Sequence, residues 1–229
     1  MPRFATRLLL PLLALLALFA LPAAPALAGY DQQQVVDGAT GTMERLKTDP
    51  GFQKNFHQQM RDARAILIVP NLYRGGLFVG GQYGNGVLLE RLPDDSWSYP
   101  AFFTLAGGSF GLQLGAESLG VIFLINSDRA LQALLDNQFK FGANFGMTLA
   151  VVGADVGGST TSNAGADILA LSFSALGLYG GLTLDGTAVS PRDSWNAAYY
   201  GRNLSSRGIV QDRDVSNPGA DRLRDVLAH

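Results

Sequence analysis

The segment GGSFGLQLGAES, Gly107–Ser118, decides the fold. Its first five residues fit G-x-S-x-G, the pattern of a strand-to-helix turn that exposes a nucleophilic serine. The residues that follow argue against an elbow: Phe110, Leu112, Leu114 and Ala116 alternate with Ser109, Gly111, Gln113 and Gly115, the period of a half-buried strand. A general base is also missing, since the two histidines are His57, on an amphipathic helix before the serine, and His229, at the last position. The segment predicts a glycine-rich strand whose apolar residues face the core, and no catalytic serine.

The same alternation recurs in KFGANFGMTLAV, where Phe141, Ala143, Phe145, Met147, Leu149 and Val151 share a face, and in LYGGLTLDG, where Leu178, Leu182 and Leu184 share one with Gly180. Such strands suit an antiparallel sheet that is apolar on one side. Glycine supplies 28 of 229 residues, well above the usual share of about 7%. Many of these glycines fall inside strands, where they mark bending, bulges or close backbone approach. The expected fold is α+β: a strongly curved, barrel-like antiparallel sheet closed by N-terminal helices, with one inserted helix and a short C-terminal helix.

Tyr30 to Arg64 reads as two helical pieces, with Asp49 as N-cap and Pro50 as first residue of the second. In that second piece Phe52, Phe56, Met60 and Ala63 form an apolar stripe, while Lys54, His57, Arg61 and Arg64 form a basic one. The inserted helix is SDRALQALLDN, with Ser127 as N-cap after the buried-looking strand VIFLIN. GGSTTSNAG, Gly157 to Gly165, reads as a polar loop, and DSWNAAYYG as the short C-terminal helix.

The chain opens with Arg3 and Arg7, an apolar run from Leu8 to Leu21 and then small residues, the layout of a secretory signal with cleavage after Ala28. The run is shorter than the roughly 20 residues that span a bilayer. The expected division is residues 1–28 as leader, 29–202 as one domain and 203–229 as a charged, partly mobile tail. Export would place the protein in a periplasm or outside the cell, not as an integral membrane protein. There is no cysteine, so no disulfide or thiolate metal site forms. Without the leader the chain holds 15 Lys+Arg against 19 Asp+Glu, a balance of −4 that disfavours nucleic acid as a partner.

No metalloprotease helix motif, phosphate loop or ordered dinucleotide fingerprint is present, and no cofactor is expected. The basic stripe is the better signal, although a cationic face is also the ordinary solvated side of a helix. Arg64 leads into the first strand and Arg74 follows in YRGG, so the cations are expected to converge where helix meets sheet, suited to an anionic headgroup at an acyl boundary. Phe56 is expected to pack the helix onto the sheet.

RDARAILIVPNLYRGGLFVGGQYGNGVLLER, GGSFGLQLGAES and WNAAYYG, in that order, resemble the SYLF domain family over roughly Thr48 to Arg202. The resemblance implies lipid binding, since eukaryotic members bind phosphoinositides through basic residues and an amphipathic N-terminal segment, and some bind actin filaments. Lysine is common in the family where this chain has Arg64 and Arg74, so these two positions carry over, with Lys54 and Arg61 added by the helix pattern and Phe52 as the apolar contact. Departures are Ala65, where glycine is common, and Gln82, where an acid is common. For an exported chain, actin is not an expected partner. Two readings result: a non-catalytic envelope module that binds anionic or amphipathic lipid, or an envelope interaction module that pairs an exposed sheet edge with a protein partner.

Overall fold

The structure is a computed structural model that describes residues 30–76, 79–110, 115–136, 139–143, 147–152, 165–174, 177–178 and 182–229. Three helices come first, α1 (Tyr30–Thr48), α2 (Pro50–Asn55) and α3 (His57–Asp62). Four long strands follow: β1 (Ala65–Gly76), β2 (Val79–Glu90), β3 (Ala101–Phe110) and β4 (Gly115–Ile125). After α4 (Asp128–Leu135) come the short strands β5 (Phe139–Lys140), β6 (Leu149–Val152), β7 (Ile168–Ser174), β8 (Gly177–Leu178) and β9 (Ala188–Pro191). The chain closes with α5 (Asp193–Tyr200), a π-helical turn (Gly208–Asp212), a 3-10 turn (Pro218–Ala220) and α6 (Asp221–Ala228).

All nine described strands belong to one sheet, in the order β5-β9-β3-β2-β1-β4-β7-β6, with β8 paired to β7. It is a curled half-barrel and not a closed one: the described path ends on β5 and β6. The expected antiparallel pairing holds except between β6 and β7, which run parallel. The run KFGANFGMTLAV is not one strand either: it gives β5, a turn at 141–143 and β6, with 144–146 outside the described residues. Leu112 and Leu114, Gly180 and most of the 157–165 loop also lie outside them.

The expectation of one apolar face needs a second correction. Near the start of β1, Ile66 and Ile68 enter one core with the helices α1, α2, α3, α5 and α6, while Ala65, Leu67 and Val69 enter another with α4, Phe139, Phe141, Leu182 and Leu184. Both faces are covered there, which is why AILIV and VIFLI read as continuous apolar runs. Further along β1 the helical layer stops, and Asn71 and Tyr73 are exposed while Leu72 and Arg74 stay buried.

A bulge marks the boundary: the pairing of β1 slips between Ile68 and Asn71 against β2 and between Val69 and Leu72 against β4. Pro70, which has no amide to donate to a ladder, sits inside it. Glycine is needed opposite, since a Cβ at Gly86 would stand 2.5 Å from the Ile68 carbonyl oxygen.

The stretch after Arg202, read from its charge as a tail, contributes to both cores. Ile209 and Val210 of the π-helical turn are fully buried on one side, and Leu223 and Leu227 of α6 join Met43 and Leu46 of α1 on the other. Tyr99 donates to Asp221 at 2.8 Å, and Arg224 donates to the Trp97 carbonyl at 2.8 Å. Among the described residues, no helix is long and apolar enough to cross a membrane.

Candidate functional site

The helical corner forms as its pattern dictates. Asp49 accepts from the Phe52 amide at 2.9 Å and starts α2. The helix breaks at Phe56, whose φ of −130° ends α2 and opens α3. The break keeps the apolar stripe aligned: Phe52, Phe56, Met60 and Ala63 are all buried. Lys54, His57 and Arg61 are exposed on the opposite side, as is Arg64.

Beside this face lies a cleft of about 780 Å³, walled by Lys47, His57, Arg61, Arg91 and His229 and floored by Phe52, Met60 and Leu227. Its acids are Asp62 and Asp95, the latter 90% exposed and 4.0 Å from Arg91. Arg91 is held rigidly: its guanidinium stacks 4.4 Å over the Trp97 ring and donates to the carbonyls of Met60 at 2.9 Å and Ala63 at 3.1 Å. Burial lowers its pKa and that of Lys47, with the Arg91 charge adding to the effect on Lys47. Lys47 donates to the Val226 carbonyl. An anion entering the cleft would relieve this crowding of like charges.

Lys47 and Arg91 were missed by the stripe argument, because neither lies on α2 or α3. Arg91 does close the motif ending LLER, and Lys47 ends α1, but no local period links them to Arg61.

The predicted residues are not all brought together. Arg64 forms a surface ion pair with Asp128 at 2.8 Å, its side chain 53% exposed, so it can exchange partners at small cost. Phe52 is 1% exposed and packed against Phe56 at 6.3 Å, so its ring is consumed by the core and is no acyl contact on the surface. Arg74 does not join the cluster: it lies nine residues along β1 from Ala65, about 30 Å away at strand rise. Its buried guanidinium pairs with Glu117 at 3.0 Å, its cross-strand neighbour on β4, while Gln82 flanks it on β2. With glutamate already on one side, the acid common at position 82 is not needed for pairing, and Gln82 donates instead to the Thr183 carbonyl at 3.1 Å.

Ser109 lies within β3, paired with Gly80 of β2, and the next described element, β4, is a strand. The strand–turn–helix context of a nucleophile elbow is therefore not met. The WNAAYYG motif has a structural role: Asn196 is buried and accepts from the Phe102 amide at 2.8 Å, which fixes α5 to the start of β3.

An α+β half-barrel with an exposed cationic corner is thus the class that fold and site define. The family described as "Ysc84: Las17-binding protein actin regulator" matches residues 106–229, and the chain belongs to it. It is 28% identical over 170 residues to protein YSC84 of Saccharomyces cerevisiae, covering 73% of this chain and 36% of that protein. LAS seventeen-binding protein 3 of the same organism is also 28% identical over 170 residues, 73% of this chain and 37% of the relative. With human SH3 domain-containing YSC84-like protein 1 the identity is 26% over 162 residues, 70% of this chain and 47% of the relative. The chain spans between about a third and a half of the length of these relatives.

Proposed function

We propose that this chain is a non-catalytic lipid-binding module of the cell envelope, docking on anionic headgroups through the corner formed by Lys54, His57, Arg61 and Arg64. One observation carries the reading: the exposed Arg61 and His57 line a cleft whose wall holds two further cations, Lys47 and Arg91. Because the apolar stripe is buried, contact is electrostatic and peripheral, without insertion of Phe52. Headgroup attraction of about 1 kcal/mol per cation near an anionic surface would make binding salt-dependent. The leader-like start of the sequence supports export. The actin-regulator description is that of the family matched at residues 106–229; with export proposed, we do not extend it to this chain.

Flotation with vesicles of phosphatidylcholine alone or with phosphatidylglycerol added tests this. The protein is expected to float only with the anionic vesicles, and Arg61→Glu combined with Arg64→Glu should weaken binding by at least about tenfold. Equal flotation with both vesicles, or unchanged flotation of the variant, would sink the proposal.

A second reading has its own observation: β6 ends the described sheet path and carries Val151, which is 39% exposed. A protein partner adding a strand there would bind without lipid.

A further inference from the structure

Beyond the bulge, the sheet face that the helices leave uncovered is ordered in rows. Asn71, Asn85 and Thr104 are successive cross-strand neighbours on β1, β2 and β3. The next row on that face is Tyr73, Tyr83 and Ala106, and the one after it Gly75, Gly81 and Gly108. Tyr73 is 59% exposed and Tyr83 47%, so two adjacent rings lie open to solvent. The floor next to them is flat: a Cβ at Gly108 would meet nothing within 4 Å. A trough of about 320 Å³ between Pro70, Asn71, Tyr73, Asn85 and Trp195 continues across Tyr73 into a shallower one of about 370 Å³ over Gly75, Gly81 and Tyr83.

The polar edge of this trough is preorganised. Asn85 Oδ1 accepts from Tyr83 Oη at 3.2 Å, Thr104 Oγ1 at 3.0 Å and Arg192 Nη1 at 2.8 Å. Three donors on one oxygen fix the amide, leaving its Nδ2 hydrogens as the donors to offer. Arg192 is itself fixed, its guanidinium 3.6 Å over the Trp195 ring. Asp31 lines the trough and Arg192 adjoins it through Asn85, so charges of both signs stand beside it and neither an anion nor a cation is favoured.

Two solvent-exposed aromatic rings beside a bare glycine floor suit a ligand with apolar faces, and fixed amide and guanidinium donors at the edge suit hydroxyl oxygens. A sugar chain with equatorial linkages has both, since its rings expose C–H faces and its edges carry hydroxyls. A polyproline helix also docks in aromatic-lined grooves but does not draw on a row of edge donors such as Asn71 and Asn85, and decaproline is the control that separates the two. We infer that the Tyr73–Tyr83 face, with Asn71, Asn85 and Arg192 at its edge, is a binding site for an uncharged, equatorially linked oligosaccharide. The site lies on the bare end of the sheet, away from the cationic corner, and does not depend on the lipid reading.

Titration of the full chain with cellotetraose and chitotetraose, followed by amide NMR shifts, tests it, with maltotetraose and decaproline run alongside. Saturable binding of at least one equatorially linked tetramer is expected within about 10 mM, with maltotetraose weaker. Tyr73→Ala and Tyr83→Ala should each weaken it about 3- to 10-fold, with melting and anionic-vesicle flotation unchanged. The inference is overturned if neither tetramer saturates, if the double variant binds as well as the parent, if maltotetraose binds equally, or if decaproline alone binds.

Discussion

Asp167 shows how one residue ties distant segments together. Its carboxylate accepts from Ser127 Oγ at 2.6 Å, the Thr148 amide at 2.9 Å and Arg129 Nη2 at 3.0 Å, joining the start of α4 to the segments that flank β6 and β7. The Ser127 hydroxyl, then the Thr148 amide, hold its pKa down to about 2 from an ordinary 3.8. A carboxylate with a lowered folded pKa stabilises fully above the unfolded value, and the stabilisation fades as pH falls through the folded one. With the side chain 14% exposed but its Arg129 and Thr148 partners open to solvent screening, the effect is at most about 2 kcal/mol. Melting curves from pH 6 to pH 2 should show the parent losing this increment mainly below about pH 4, while Asp167→Asn melts lower at pH 6 and lacks that part of the acid slope. The residue scale also shows what the sequence hides. Ser127 is a readable N-cap, but its acceptor Asp167 is 40 residues away. Arg74 and Glu117, separated by 43 residues, meet only because β1 and β4 pair in that register.

Among elements, β1 is the one whose pattern carries most. Its apolar run, Pro70 and the alternation after it are all in the sequence, but only the paired strands show that they correspond to the covered half, the bulge and the half-bare end. The facing glycines of β2 make that bulge possible. Gly86→Ala would push a methyl into the Ile68 carbonyl, 2.5 Å from the ideal Cβ, opposite the bulge of β1 and beside the paired β3. We expect a loss of about 1–3 kcal/mol in urea unfolding, against a change near zero for Gly108→Ala, where space is open. The two stripes of the helical segment after Asp49 were equally legible, but its break into α2 and α3 at Phe56 was not. What periodicity did not give was their destination: the apolar stripe went into the core, so the cations alone are left at the surface.

At the scale of the whole molecule, the chain after Arg202 decides whether the helical layer closes. Ile209, Val210, Leu223 and Leu227 are buried, and Leu227 and His229 also line the cationic cleft. Truncation after Arg202 should therefore lower the melting temperature sharply or abolish cooperative unfolding, as loss of several buried Leu and Ile side chains at about 2–5 kcal/mol each would demand. A mobile appendage would be lost without effect, which calorimetry of the truncated chain distinguishes. Charge counting misled here because long charged side chains flank a sparse apolar stripe in α6, and a stripe of two leucines over eight residues is a weak periodic signal. By itself the sequence determined the helix starts, the strand periods, the glycine-rich curvature and the family motifs, because these depend on neighbours a few residues apart. Only the tertiary structure decided that the sheet has two covered faces, that Phe52 and Arg74 are buried, and that Lys47, Arg61, Arg91 and His229 share one cleft. Those outcomes depend on which distant segments pack together, and burial and charge pairing are properties of that packing, not of any local period.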